Sequence, residues 1–389
     1  MLDILKKELP QRLKKLQQTI IESQADGCII HSSVNLYYLT GCVFDGYLYV
    51  HPHEAPVLFI KRPVGNQGER VEYIRKPEQI PDLLKAYHIA QPHSLLIESD
   101  IMPHASALRL KAAFGNVEFK NASGLMRQIR SVKSSSELDE MRACAAIQAR
   151  IYAQIPHLYQ NGMRDIDLQI EIEYLMRKEG SIGVFRSFGE NMDIFMGNVL
   201  AGDNAQEASP YDFSMGGRGL SPYLPIGASG IVLQEGMTAM IDMAGNYNPY
   251  QSDMTRTFAI GSILPEAQKM HQVSMDILHE IEETAKSGTP CADLYARAET
   301  KVKQHGLEAY FMGTKQQAKF IGHGVGLEIN EPPVLTPRSK EILQTGMSIA
   351  IEPKFVLPGV GALGIENTYI VTDDGLEKIT LCEEKLISL

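Results

Sequence analysis

The sequence is poor in the residues that define several common classes of protein. It has no tryptophan, and its five cysteines are scattered over 389 residues without a Cys-x-x-Cys pair. This pattern argues against a disulfide framework and a structural zinc site of the cysteine type. No stretch reaches 18 consecutive apolar residues, and the first twenty residues mix acids and bases. Neither a membrane-spanning helix nor a signal peptide is therefore predicted.

Positive charge is also in short supply. There are 37 Lys and Arg residues against 47 Asp and Glu residues, which gives a formal net charge of -10. A broad contact with a phosphate backbone is disfavoured by this balance. We therefore expect no binding to nucleic acid. The scattered cysteines and the lack of a predicted signal peptide or membrane-spanning helix indicate a cytoplasmic protein that does not bind a membrane.

What is present suits a large globular protein with two domains. Hydrophobic residues make up 44% of the chain, enough for a sizeable core. Alternating helical and strand patterns predict an α/β unit over residues 1–130. A Ser-rich stretch then leads into a long helical pattern, where Ser134 and Glu137 form a Ser-x-x-Glu capping box. We place a second, α+β domain at 134–389, in which two helices followed by antiparallel strands occur twice.

Two pairs of acids in this second domain follow apolar strands. Asp242 ends the run TAMI, and Asp253 lies eleven positions later across a turn-rich segment. Glu352 follows SIAI, and Glu366 lies fourteen positions later, beyond a Pro-Gly turn. Two hairpins would place these carboxylates at the edge of a core, where an isolated charge costs several kcal/mol. Something must therefore compensate them.

One histidine, His323, lies in the glycine-rich segment FIGHGVG. Four carboxylates and one imidazole carry a formal charge of about -4, which two divalent cations would neutralise. In the alternative interpretation, each acid separately caps a turn or pairs with a Lys or Arg at the surface. Because both pairs of acids occur in the same pattern of apolar strands and turns, we favour the metal site.

The motifs that carry these residues resemble those of the pita-bread metallopeptidases, which include Xaa-Pro aminopeptidase, prolidase and methionine aminopeptidase as well as creatinase. They read IDMAGNYNPYQSDMTRTF, GHGVGLEINEPP, IAIEPKF and GIENTYIVTDDG. In addition, SSVNLYYLTGC at 32–42 resembles the creatinase-type N-terminal domain of the Xaa-Pro branch. The resemblance implies an α/β creatinase-like domain followed by an α+β pita-bread catalytic domain with internal pseudo-duplication.

The resemblance also implies a ligand set and an activity. Asp242, Asp253, His323, Glu352 and Glu366 match the family's metal ligands, with Asp253 and Glu366 at the bridging positions. The implied cofactor is a pair of divalent metal ions, Mn, Zn, Co or Fe. In the family, a metal-bridging hydroxide attacks the scissile carbonyl, and the acid at the Glu352 position shuttles the proton. We expect a homodimeric Xaa-Pro dipeptidase or aminopeptidase that acts on short peptides.

Three positions depart from the family pattern. The histidine expected seven residues after His323 is Asn330, and no histidine occurs between His157 and His271, where the other active-site histidine is expected. Gly364 stands where the Xaa-Pro branch usually has an arginine. The substrate contacts therefore differ from those of the family.

Polar residues that could substitute are Asn330 and, in the segment 209–230, Tyr211, Arg218 and Tyr223. We predict Asn330, Arg218 and Tyr223 as substrate contacts. Two alternative functions stay open because of the departures. One is a metal-dependent lyase or hydrolase of a small polar metabolite on the same fold, and the other is a metal-stabilised relative without catalytic activity.

Overall fold

A computed structural model describes residues 2–65, 68–189, 195–211 and 213–389, with the side chains of 2–6 excepted. The chain divides into two compact units, Met1–Arg130 and Ser131–Leu389. Among the described residues, no helix combines the length and the apolar character that crossing a membrane requires.

The first unit is built on a six-stranded sheet in which parallel and antiparallel neighbours are mixed. Its helices are α1 (Leu2–Glu22), α2 (Ser33–Thr40), α3 (Ile80–Ala86), α4 (His104–Phe114) and α5 (Ser123–Ser131), the last ending beside the division between the units, and a 3-10 turn covers Pro77–Gln79. Its strands are β1 (Gly27–Ile30), β2 (Asp45–Val50), β3 (Val57–Arg62), β4 (Val71–Tyr73), β5 (Ser94–Ile97) and β6 (Glu118–Asn121). The strand order is β4-β3-β2-β1-β5-β6. This sheet confirms the predicted α/β character.

The second unit alternates helix pairs with strands. Its helices are α6 (Ser135–Tyr152), α7 (Ile155–Leu158), α8 (Asp165–Lys178), α9 (Pro265–Thr284) and α10 (Cys291–His305), and a 3-10 turn covers Gly202–Gln206. The α6 helix begins with the predicted capping box, because Glu137 N–H donates to Ser134 Oγ while Ser134 N–H donates to the Glu137 carboxylate.

Three sheets fill the rest of the second unit. Their strands are β7 (Gly197–Ala201), β8 (Thr238–Gly245), β9 (Ser252–Ala259), β10 (Gly322–Gly324), β11 (Glu331–Val334), β12 (Ser348–Ile351), β13 (Lys354–Leu357), β14 (Gly361–Gly364), β15 (Asn367–Val371), β16 (Leu376–Lys378) and β17 (Ile387–Ser388). The sheets run β17-β9-β8-β7, β11-β10-β12-β15-β16 and β13-β14. Both predicted hairpins are present, as β8-β9 and as the β13-β14 turn inside the β12-β15 pair.

The two halves of this unit have separate cores. Side chains of α6 and α8 pack with those of β7, β8 and β9, whereas α9 and α10 pack with β12, β13, β14 and β15. Each half therefore buries one face of a sheet beneath a helix pair, which confirms the predicted duplication. The isolated bridge between Thr255 and Glu366 connects β9 to the residue before β15, where the candidate site lies.

Candidate metal centre

The first pair of acids is brought together by the β8-β9 register. Asp242 is paired with Thr255, and Asp253 with Ala244, so the two acids are diagonal neighbours on one face of the sheet. The Asp253 backbone is held by Thr368, whose Oγ1 accepts from its N–H at 2.8 Å and donates to its carbonyl at 2.7 Å. Asp253 is consequently fixed as well as buried.

The second pair comes from the ends of β12 and β15. Ile351 is paired with Asn367, which places Glu352 and Glu366 next to each other just beyond the ladder. Thr255 Oγ1 donates to Glu366 Oε2 at 2.7 Å, which orients that carboxylate. Both glutamates are buried.

His323 enters from β10 with a defined tautomer. Its Nδ1 lies 3.1 Å from the carbonyl of Gly324. A carbonyl can only accept, so Nδ1 carries the hydrogen and Nε2 presents its lone pair. Nε2 faces Asp253 Oδ2 at 3.8 Å and Glu352 Oε1 at 3.6 Å. Such an imidazole has the orientation of a metal ligand.

The glycines beside His323 have a packing reason. A Cβ on Gly322 would lie 2.2 Å from the Ala350 carbonyl oxygen, and one on Gly324 would lie 2.2 Å from that of Pro332. Strand β10 can therefore lie between its neighbours only because both flanking residues lack a side chain.

All five predicted ligand positions thus converge in the second unit. They form two overlapping groups that share Glu366: Asp253, His323 and Glu366 in one, and Asp242, Glu352 and Glu366 in the other. Their roles as ligands stay predictions, but the structure brings together side chains that are up to 124 residues apart in the sequence, from Asp242 to Glu366.

The sequence analysis missed one member of the site, Lys354. Its side chain is fully buried, and its Nζ lies 2.6 Å from Glu352 Oε2, 2.9 Å from Asp242 Oδ2 and 3.1 Å from Glu366 Oε2. It also donates to Ser214 Oγ at 3.2 Å. The available signal was a lysine at the start of the apolar run KFVL, two positions after a predicted ligand. A lysine in an apolar strand must find an anionic partner.

The electrostatics of the two groups differ. Burial, together with repulsion from neighbouring carboxylates, raises the pKa of Asp253 well above its ordinary value and that of Glu366 to about 8. Burial also acts on Glu352, but the positive charge of Lys354 outweighs it and lowers the pKa of Glu352. Burial opposes a charged Lys354, but the surrounding carboxylates raise its pKa well above the ordinary value.

These observations test how the site fits the metal ions that the family implies. In the part of the chain that is described, Glu366 Oε1 is buried without a hydrogen-bond partner. With Asp253 and the Nε2 lone pair of His323, it forms a donor set of the kind that Mn, Fe, Co or Zn accepts. The group fits a divalent ion. In the other group, each carboxylate already contacts the Lys354 ammonium.

A cavity of about 220 Å³ adjoins this centre. Ser214 and Phe320 are among its lining residues, together with Tyr211, one of the polar residues named above as a possible substitute. Ser214 contacts Lys354, and the Phe320 ring centroid lies 6.5 Å from that of His323. The cavity is large enough for a small ligand, and Ser214 and Phe320 connect its wall to the residues of the centre.

The other predicted substrate contacts lie in different surroundings. Asn330 Nδ2 donates to the Phe188 carbonyl, and Asn330 Oδ1 accepts from the Phe188 N–H, both at 2.7 Å. Tyr223 is 95% exposed, and Arg218 is exposed as well. The structure does not bring Arg218 or Tyr223 into contact with the acid cluster among the residues it describes. Their predicted roles therefore remain predictions.

Comparison with known proteins agrees with this geometry. The model of metallopeptidase family M24 matches residues 139–373, and that of the creatinase/prolidase N-terminal domain matches residues 12–132. A relative named Xaa-Pro dipeptidase, from Pyrococcus furiosus, is 27% identical over 97% of this chain and 100% of its own length.

Solved structures share the fold over almost the whole chain. An Xaa-Pro dipeptidase from Bacillus anthracis superposes with a TM-score of 0.81 at 24% identity, covering 98% of this chain and 100% of that one. An X-Pro aminopeptidase from Thermotoga maritima gives 0.78 at 20% identity, covering 97% and 99%. The chain belongs to metallopeptidase family M24 and carries a creatinase-type N-terminal domain. The predicted family, fold and metallopeptidase class are confirmed.

Proposed function

We propose that this chain is a metal-dependent peptidase that hydrolyses Xaa-Pro dipeptides or other short peptides. The observation that carries the proposal is the buried convergence of four carboxylates and one oriented imidazole, with one carboxylate oxygen left unpartnered among the described residues. The Xaa-Pro dipeptidase of Pyrococcus furiosus, which matches over nearly the whole chain, supports the substrate class.

The group Asp253, His323 and Glu366 would hold a divalent ion, with Glu352 beside it. The family resemblance predicts two ions, and their identity among Mn, Zn, Co and Fe stays a prediction. When bound, such an ion supplies a Lewis acid that polarises a carbonyl and lowers the pKa of water.

The chain's own residues prepare the proton transfer. Glu352 stays ionised despite its burial because the Lys354 ammonium favours its carboxylate form. Its Oε1 faces His323 while Oε2 is held by Lys354, so Oε1 is the oxygen left to accept a proton. His323 cannot turn away without losing the hydrogen bond to Gly324.

The test is hydrolysis of a peptide panel by metal-reconstituted protein. Ala-Pro, Met-Pro and Gly-Pro are compared with Ala-Ala and with a tripeptide that begins Ala-Pro. We expect cleavage of Xaa-Pro bonds that is lost in Glu352→Gln and kept in Lys286→Met, a change of an exposed lysine in the same unit. A protein that contains metal by elemental analysis yet cleaves none of these peptides contradicts the proposal.

The departures from the family favour a second candidate. Asn330 is engaged with the Phe188 backbone, and Gly364 leaves no side chain where an arginine is expected. Neither position then supplies the family's substrate contact. A metal-dependent lyase or hydrolase of a small polar metabolite is therefore the alternative, and it predicts that Asn330→His brings no gain on Xaa-Pro peptides.

The remaining expectations concern the protein's assembly and location. A homodimer is proposed on the resemblance, and a cytoplasmic location on the scattered cysteines and the lack of a predicted signal peptide. Light scattering on the purified protein measures the first, and fractionation of cells that express it measures the second.

A further inference from the structure

The two acid groups of the centre are not equivalent, because only one of them surrounds a positively charged side chain, the ammonium of Lys354. Lys354 Nζ contacts one oxygen of each member of the group Asp242, Glu352 and Glu366, at 2.6 to 3.1 Å. A divalent ion bound by this group would need one oxygen from each of the same three carboxylates at about 2.0–2.6 Å. The ammonium and such an ion therefore compete for one position.

The backbone holds Lys354 in this position. It is the first residue of β13 and pairs with Gly364 of β14. Gly364 has φ of +128°, and a Cβ there would lie 2.8 Å from the Pro353 carbonyl oxygen and 2.9 Å from Ser274 Oγ. Position 364, where the resemblance expects an arginine, therefore has no room for a side chain, and the positive charge comes from the facing strand.

The other group, Asp253, His323 and Glu366, has no such ammonium beside it among the described residues. In the described part of the chain, neither Asp253 nor His323 forms a hydrogen bond or an ion pair with Lys354, and Glu366 Oε1 is buried there without a hydrogen-bond partner. Glu366 Oε2, by contrast, is already taken by Lys354 and Thr255. The shared glutamate thus directs one oxygen to a cation that is part of the chain and the other to an open donor set.

The burial of Lys354 points in the same direction. A second divalent ion at Asp242, Glu352 and Glu366 would lie beside an ammonium that has no exposed path away from it, since the lysine side chain is 0% exposed.

We propose that the Lys354 ammonium replaces one of the two metal ions of this family, so that the centre holds a single divalent ion at Asp253, His323 and Glu366. The inference rests on the proposed function in one respect only, that the cluster binds a divalent metal. It specifies how many ions are bound and which group binds them. It also assigns Lys354 a further role, as a fixed positive charge that keeps Glu352 oriented.

The experiment counts metal ions in the purified full-length protein. Wild-type protein is incubated with excess Mn²⁺, desalted, and measured by native mass spectrometry and elemental analysis. We expect one ion per chain, and close to none in His323→Ala. Two ions per chain in the wild type, or none, would overturn the proposal. Two ions would mean that Lys354 only replaces the arginine missing at 364.

Variants of Lys354 test the role of the ammonium directly. Lys354→Ala opens the second group, so we expect two ions per chain and an exchange-coupled Mn²⁺ signal by electron paramagnetic resonance. Lys354→Arg is the matched control, and it should keep one ion because it keeps the charge. If the alanine variant does not fold, Lys354→Gln serves the same purpose, because it removes the charge and adds an amide oxygen ligand. A folded neutral variant that still binds one ion contradicts the assignment.

These measurements are independent of hydrolysis. One ion in the wild type together with no cleavage of any peptide supports the single-ion inference and refutes the proposed substrate class. Cleavage of Xaa-Pro peptides by a protein with two ions does the reverse.

Discussion

Removing the Lys354 charge in metal-free protein tests most directly whether the ammonium stabilises the acid cluster. In Lys354→Met, the ammonium is replaced by an apolar side chain of similar length, and three carboxylates at 2.6, 2.9 and 3.1 Å lose their common partner. At an effective dielectric constant of 20, each contact contributes an attraction of about 6 kcal/mol before desolvation is counted.

Two effects reduce the net loss. Burial of each ion costs several kcal/mol, so part of the attraction only offsets desolvation. Glu366 also has a pKa of about 8 and can take up a proton when the ammonium is gone. Buried ion pairs broken from one side cost about 3–5 kcal/mol, and we expect Lys354→Met to fall in this range in the presence of a chelator.

Amide hydrogen exchange is the suitable assay, because a two-unit chain need not unfold in one step. Peptides that cover β12 to β15 should exchange on the order of 10²–10⁴-fold faster in the variant, since each 1.4 kcal/mol is a factor of ten. Peptides of the first unit should be unchanged and serve as the internal control, and Lys286→Met should exchange like the wild type. A change below fivefold in β12 to β15 would refute the contact between the ammonium and the carboxylates.

Three further predictions concern the metal ligands, pH and substrate contacts. Asp253→Ala should lower metal content and peptidase activity together. Glu352→Gln should keep metal and lose turnover by on the order of 10²-fold or more. A full rate in Glu352→Gln would show that Glu352 does not transfer the proton. Chelation should lower the melting temperature. Because the pKa of Glu366 in the folded metal-free protein is raised from 4.5 to about 8, the stability of the metal-free protein should fall as pH rises from 4.5 to about 8, and that of the metal-loaded protein should change less. Equal pH profiles with and without metal would contradict this. Asn330→His should cost about 1–2 kcal/mol of stability by breaking the two hydrogen bonds to Phe188, which urea titration measures, and it should raise the rate on Xaa-Pro peptides if the peptidase proposal holds.

The two hairpins that carry the acids could be predicted from the sequence. An apolar run that ends in an acid, followed by turn residues and a second run, is a local pattern, so the β8-β9 hairpin and the β13-β14 turn could be predicted from it. Likewise, the capping box at Ser134 depends only on two residues three positions apart. The substrate contacts were harder, because the exposure of Tyr223 and the engagement of Asn330 with Phe188 depend on how distant loops fold.

The sequence by itself determined the family, the two-domain architecture and the five side chains that converge. Strand periodicity and motif spacing are local features, so they can be identified without the tertiary structure. Only the tertiary structure decided what those side chains surround. The position of Lys354 depends on the β13-β14 register, on the missing side chain at Gly364 and on a pocket made by three acids. These are Asp242 inside β8, Glu352 after β12 and Glu366 before β15. A lysine two residues after a predicted ligand could equally have faced solvent. Its burial against three carboxylates is a property of distances across the fold, which spacing along the chain does not contain.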